Sequence, residues 1–233
     1  MDQDIQSQLD RSKELLRELE SACNADLQKK DVSGKTKNLS QEVLLKIRHL
    51  LDQSIYKFFE KYYLPNLSDA DKKSAKVYFP IVSKKEDLKS VLGRAKMGDL
   101  ETNYQDFYKF IDSIQPYNQD YLWLNHLAKF ASEKHIKLTP QMLKCENETK
   151  LGNAVHVGRG AKVTMRNCLI NGIPINSENI NETPIENFDS RLNVQRVTWI
   201  SFLFKNTDIN VLWLCKKAVE GGESIIKKVL EYL

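Results

Sequence analysis

The sequence has no apolar run long enough to cross a bilayer. Its longest such stretches, Trp199 to Phe204 and Ile209 to Cys215, are interrupted by Ser201 and Asn210. A spanning helix needs about 20 predominantly apolar residues. The start, Met1-Asp2-Gln3-Asp4, lacks the basic stretch and following apolar stretch of a secretory signal. Glycine and proline are sparse, at 9 and 6, which excludes long low-complexity linkers. Cys23, Cys145, Cys168 and Cys215 lie far apart with no C-x-x-C pair, the opposite of a disulfide framework. These absences predict a cytoplasmic protein without membrane contact, its thiols reduced and its cysteines buried as small apolar groups.

Motifs of common chemistries are missing too. Gly158-x-Gly160 has neither the third glycine nor the lysine of a phosphate-binding loop and reads as a turn between strands. There is no H-E-x-x-H and no G-x-S-x-G. His49, His126, His135 and His156 are scattered without ligand spacing. No cofactor and no metal are expected.

What is present is ordinary for a globular chain. In 233 residues, 41% are hydrophobic and 28% charged, enough to bury a sizeable core. The net charge of +4 permits contact with nucleic acid without demanding it. Ile5, Leu9, Leu16, Leu19, Cys23 and Leu27 recur at helical intervals and predict a first helix over 3–29. A loop over 29–38 follows. Ser40 is the expected N-cap of a second helix, stapled by Leu39 and Leu44 and stopped by Pro65. Ser68 with Asp71 and Ser83 with Glu86 read as capping boxes, the second opening a helix to about 96. Between them, Val77-Tyr78-Phe79-Pro80-Ile81 reads as an extended segment packed on the helices. Two further helices are expected over 101–114 and 119–134. The latter buries Leu122, Trp123, Leu127, Phe130 and Ala131.

After Pro140 the periodicity changes from helical to alternating. Residues 154–157 and 161–167 read as strands. Asn171-Gly172 is a hairpin turn, 176–193 an exposed loop, and Val194 to Phe204 a strand. A last helix covers 208–233, bent or split at Gly221-Gly222. The fold class is therefore α+β: mainly an α-helical bundle, with a small antiparallel β segment before a C-terminal helix. The organisation read from the sequence is a helical region over 1–138, then 139–233 holding the strands and the last helix, packed on the same domain.

Two groups of residues carry candidate chemistry. Around Asn125 to Lys137, titratable groups concentrate beside aromatics. His135, at an expected helix end where a cation is favoured, has the residue type of a general acid/base for RNA cleavage. Lys129 and Lys134 are the cations that would stabilise charge on the phosphate. On the expected strands, Arg159, Lys162 and Arg166 form a second basic group suited to binding RNA. A solvated helix end and a solvated strand face are the plainer readings of each.

The order Phe79-Pro80-Ile81, Ile114-Gln115-Pro116-Tyr117, Leu124-x-x-Leu127 and Glu133-Lys134-His135 resembles uncharacterised bacterial helical proteins of the HEPN type, found in toxin–antitoxin and phage-defence loci. The resemblance covers roughly residues 40 to 140. It implies an interaction module of such a system acting through protein contacts, as a homodimer or with a protein partner. Many HEPN proteins are ribonucleases with an Arg-x4-6-His motif, which makes RNA a second partner class and a metal-independent endoribonuclease the alternative function. Here Lys129-x5-His135 stands where that motif would carry arginine. A structural scaffold subunit is the remaining reading.

Overall fold

The computed structural model describes residues 3–29, 32–133, 137–158 and 161–233, with side chains described outside 27–29, 138–146 and 197–201. The described chain is mainly helical, with a small antiparallel β component and a C-terminal helix. It divides into two compact units. One comprises 1–139 and 203–233, and the other is the stretch 140–202 inserted between them.

The helical unit is built around two long helices, α1 (Gln3–Lys29) and α2 (Gly34–Tyr62). The stripe on α1 is buried at Ile5, Leu9, Leu19 and Cys23, but Leu15 rather than Leu16 continues it. That stripe faces α2 and α8 (Val211–Glu231) within the same chain. On α2, Val43, Leu44, Ile47, Leu50, Leu51 and Ile55 have no solvent exposure, because this helix is covered by α1, α8 and α7 (Trp123–Ser132).

The second helix is capped seven residues, about two turns, before Ser40. Ser33 is its N-cap, and the Ser33 hydroxyl accepts from the Thr36 N–H at 3.2 Å. Buried Asp26 organises this start. Its Oδ2 accepts from the Ser33 N–H and hydroxyl, both at 2.8 Å, and from the Thr36 hydroxyl at 2.6 Å. Ser40 is instead buried within the helix, donating to the Thr36 carbonyl at 2.7 Å. A serine hydroxyl satisfied by a carbonyl four residues back does not interrupt a helix whose other face is packed.

Four short helices complete this part: α3 (Asp69–Ser74), α4 (Lys85–Arg94), α5 (Leu100–Asn103) and α6 (Gln105–Ser113). Ser68 caps α3 as expected, accepting from the Asp71 N–H at 3.1 Å. Ser83 does not cap α4. It donates to Asn125 Oδ1 at 3.1 Å, and Lys84 occupies the cap position. The single helix expected over 101–114 is broken at Tyr104, whose ring packs edge-on against Phe58 at 5.4 Å and beside Tyr62 at 5.2 Å. Aromatic packing outweighs helical continuity there. Leu122 is not on the buried side of α7. It is 48% exposed, and Leu124 takes its place in the core.

Helix α8 is one continuous helix through Gly221 and Gly222. These glycines serve close approach rather than a bend. A Cβ at Gly221 would lie 2.6 Å from Trp123 Cζ2, and one at Gly222 would lie 2.6 Å from Ile47 Cγ2. Only hydrogen fits where α8 meets α7 and α2.

The five strands of the described residues lie wholly or mostly in the inserted unit. Strand β1 (Leu138–Leu151) pairs antiparallel with β2 (Val155–Val157), and β5 (Val194–Phe204) flanks β1 on its other side. The 14-residue β1 was not legible as a strand in the sequence. Separately, β3 (Met165–Ile170) and β4 (Ile173–Ser177) form the predicted hairpin. Asn171 and Gly172 have φ of 51° and 76°, the left-handed pair that a tight two-residue turn requires. Residues 161–164 precede β3 rather than belonging to it. The stretch 176–193 is not an exposed loop throughout. Ile180, Asn181 and Leu192 are buried, and Ile180 and Leu192 join Leu151, Val157, Ile170, Ile173 and Ile175 in the unit's small core.

Candidate functional site

Helix α7 carries the described part of the first candidate group. Lys129 is exposed, with Nζ 5.2 Å above the Phe130 ring. Burial, and then the charge of Lys129, hold the His126 imidazole below its usual pKa. Gln41 Nε2 donates to the Glu133 carbonyl at 2.8 Å, tying the end of α7 to α2. Lys134 and His135 lie outside the described residues.

Two residues of the second group, Lys162 and Arg166, are described. Arg166 on β3 is paired with Glu178, Nε to Oε1 at 3.1 Å and Nη2 to Oε2 at 2.9 Å. Its charge is thus locally matched. Lys162 is exposed in the segment before β3, and Arg159 lies outside the described residues. Among the cysteines, Cys23 and Cys215 are buried as expected, but Cys168 is exposed. Burial, with Asp26 and Glu20 adding to it, pushes the Cys23 thiol up to about 12, so it stays protonated and unreactive. Among the described residues no cluster of three or more His, Cys, Asp or Glu has a metal-holding arrangement. No described helix is long and apolar enough to cross a membrane.

The motif residues Phe79-Pro80-Ile81 and Ile114-Gln115-Pro116-Tyr117 turn out to hold one another. The fully buried Gln115 side chain accepts from the Val82 N–H at 3.0 Å and donates to the Pro80 carbonyl at 3.1 Å and the Ile111 carbonyl at 2.9 Å. On the other side, Asp52 Oδ1 accepts from the Phe79 N–H at 2.8 Å, and Arg48 Nη2 donates to the Phe79 carbonyl at 3.1 Å. Arg48 and Asp52, one turn apart on α2, also pair at 3.0 Å. Side chains here replace the neighbouring strand that an extended backbone would otherwise need. Burial raises the Asp52 carboxyl above its ordinary pKa, against the opposing pull of Arg48 and the Phe79 N–H.

This brace presents one aromatic ring to solvent. Phe79 is 1% exposed and Tyr78 is 60% exposed, as alternation along an extended segment requires. Tyr56 on α2 lies off that helix's buried stripe and is 43% exposed. Together Tyr56, Val77 and Tyr78 form a wall between two hollows. The first is about 500 Å³, lined also by Asp4, Gln8, Asp52, Gln53, Lys57 and Glu60. The second is about 280 Å³, lined also by Lys72 and Lys76. Lys72, Lys73 and Lys76 are exposed and form no ion pair with a described carboxylate. Their nearest acidic neighbour in sequence, Asp71, is committed to Lys96 at 2.8 Å.

None of these wall residues stood out in the sequence as a site. The available signals were the period-two position of Tyr78 beside Phe79-Pro80 and the place of Tyr56 outside the Leu51, Ile55, Phe58, Phe59 stripe. Both tyrosines therefore faced water by pattern alone. A scan of family models, a search of curated proteins and a search of solved structures each return no match to this chain.

Proposed function

We propose that this chain is a helical interaction module that binds single-stranded nucleic acid, with the Tyr56–Tyr78 wall as its contact surface. The observation that carries this reading is the pairing of two exposed aromatic rings with unpaired lysines on one flank. Stacking of a base on an aromatic ring contributes about 1–3 kcal/mol and tolerates any sequence. Lysines without carboxylate partners are free to neutralise phosphates and release counterions. The resemblance to HEPN-type proteins, many of which act on RNA, supports the same partner class and a setting in bacterial defence or toxin-type systems. Binding through stacking and phosphate contacts is the activity this reading assigns to the surface.

The test is fluorescence anisotropy with a labelled single-stranded RNA over a series of salt concentrations. Tyr56→Ala with Tyr78→Ala is expected to weaken binding by tenfold or more. Lys72→Ala with Lys76→Ala is expected to flatten the slope of log affinity against log salt by about 1.4, at roughly 0.7 per phosphate on a single strand. Unchanged binding in both variants would place any RNA contact elsewhere. Absence of binding in the wild-type protein would return the reading to protein contacts.

A further inference from the structure

A further hollow of about 480 Å³ lies between the C-terminal end of α2 and the reversal that joins α4 to α5. It shares no lining residue with the tyrosine wall. Lys96 makes the reversal, with a φ of 61° in the left-handed region that glycine favours. Its N–H donates to the Gly93 carbonyl at 3.0 Å, and the Met97 N–H to the Leu92 carbonyl at 2.9 Å. The Lys96 side chain is committed, with Nζ 2.8 Å from Asp71 Oδ1. Asp71 Oδ2 accepts from the Ser68 hydroxyl at 2.7 Å. The Lys96 and Asp71 charges therefore cancel within the lining.

Tyr63 and Asp99, also in the lining, are not matched in this way. Tyr63 is 7% exposed, and its enclosed hydroxyl has no hydrogen-bond partner among the described residues. Burial first, and then the Asp99 carboxylate, hold the Tyr63 pKa above its ordinary value, so the hydroxyl keeps its proton. Asp99 is thus near enough to act on Tyr63, yet the two do not meet at hydrogen-bond geometry. Asp99 itself is exposed, and its Oδ2 accepts from Asn103 Nδ2 at 2.5 Å. An enclosed O–H without an acceptor is costly and uncommon.

The group that completes this pair must accept from Tyr63 and donate to Asp99. An alkyl ammonium has no lone pair and would leave the Tyr63 proton unanswered. A carbonyl or ionised phosphate oxygen has no proton to give and meets like charge at Asp99. An alcohol hydroxyl does both. The half-buried Tyr62 and Tyr104 rings, 5.2 Å apart between centroids, supply apolar surface for the C–H face of a saturated ring. Exposed Asn66 and Asn103 add amides that donate and accept. The volume falls in the range of small-molecule sites.

Independently of the nucleic-acid reading, we infer that this hollow binds a neutral sugar, one hydroxyl of which bridges Tyr63 and Asp99. The experiment follows backbone amide chemical shifts of the nitrogen-labelled full chain while D-glucose, D-galactose and D-ribose are titrated separately to tens of millimolar. Inorganic phosphate and ethylammonium are the charged probes. At least one sugar is expected to move the Gly98, Asp99 and Asn103 amides. Tyr63→Phe is expected to weaken that sugar about tenfold, the effect of one hydrogen bond. It should leave the melting temperature unchanged or higher, since the lost hydroxyl has no partner in the free chain. Asp99→Ala is expected to weaken binding at least as far, with circular dichroism checking the helices. No shifts from any of the three sugars, or shifts that survive both substitutions, would overturn the inference. Shifts at these amides from phosphate or ethylammonium alone would overturn the ligand class. A lower melting temperature for Tyr63→Phe would show that the hydroxyl already has a structural partner, and would remove the ground for the site.

Discussion

The helical unit and the inserted β unit are stabilised in different ways. The first has a large apolar core centred on α2, and its polar groups act as braces for backbone that lacks a partner strand: Gln115 and Asp52 for 79–82, and Asp26 for the start of α2. The second has a core of a few aliphatic residues around Ile180. Its irregular stretches are held by amides and one guanidinium. Asn181 Nδ2 donates to the Gly158 and Ala161 carbonyls at 3.0 and 2.8 Å, and Arg196 to Thr149 Oγ1 at 2.9 Å and the Ile180 carbonyl at 2.7 Å. A small core leaves little margin for a lost side chain, whereas a large core concentrates its sensitivity in a few buried polar keystones.

Gln115→Ala is the sharpest way to break the helical side of that comparison. It strands the buried Val82 N–H and two carbonyls and leaves a void, so a loss of about 3–4 kcal/mol is expected in denaturant unfolding. Gln115→Glu keeps the shape but replaces the donor with a charge that cannot serve the Pro80 carbonyl, and is expected to be no better. A loss below about 1 kcal/mol would show that 79–82 is held by Phe79 burial alone.

Ile180→Ala probes the other side. Deleting a fully buried isoleucine costs about 2–5 kcal/mol, and in a core this small the cost falls on the whole unit. Hydrogen exchange should lose protection across β3 and β4 while the α2 amides keep theirs. Uniform loss in both regions would mean the two units unfold as one. Ser33→Ala comes next, at about 1–2 kcal/mol for a lost N-cap, and it should fray α2 only as far as Thr36, because Ser40 and its neighbours are buried.

The contrast also explains what was legible in the sequence. Long helices with one buried face announce themselves by spacing, as α1 and the centre of α2 did. The hairpin at Asn171-Gly172 was legible because only a few residue types accept that backbone. Strand β1 was hidden, since Pro140 and the polar run Glu146 to Lys150 mask any alternation. The cap at Ser33 was hidden because its anchor, Asp26, is supplied by the preceding helix. The tyrosine wall was missed for a related reason. Pattern analysis ranks residues by what they bury, and Tyr56 and Tyr78 matter by what they leave exposed, on elements distant in sequence. The glycine pair in α8 suggested a bend, and only the positions of Trp123 and Ile47 reveal a tight crossing.

The smallest expected effect concerns Asp52, and it separates burial from charge in the brace beneath Tyr78. Burial raises the Asp52 pKa in the folded chain above its unfolded value, with Arg48 opposing. The folded state then holds a proton that the unfolded state has released, so stability rises as pH falls through the folded pKa towards the ordinary aspartate value of about 4. Asp52→Asn cannot titrate, yet its amide oxygen still accepts from the Phe79 N–H. Subtracting the variant's denaturant stability from that of the wild type cancels the other titrating groups. The wild type should gain on the variant as pH is lowered through this window. The opposite slope would mean that the Arg48 charge outweighs burial. The extended segment would then be held by a true ion pair, and high salt should loosen Tyr78 and weaken any stacking on it even before its phosphate contacts are screened.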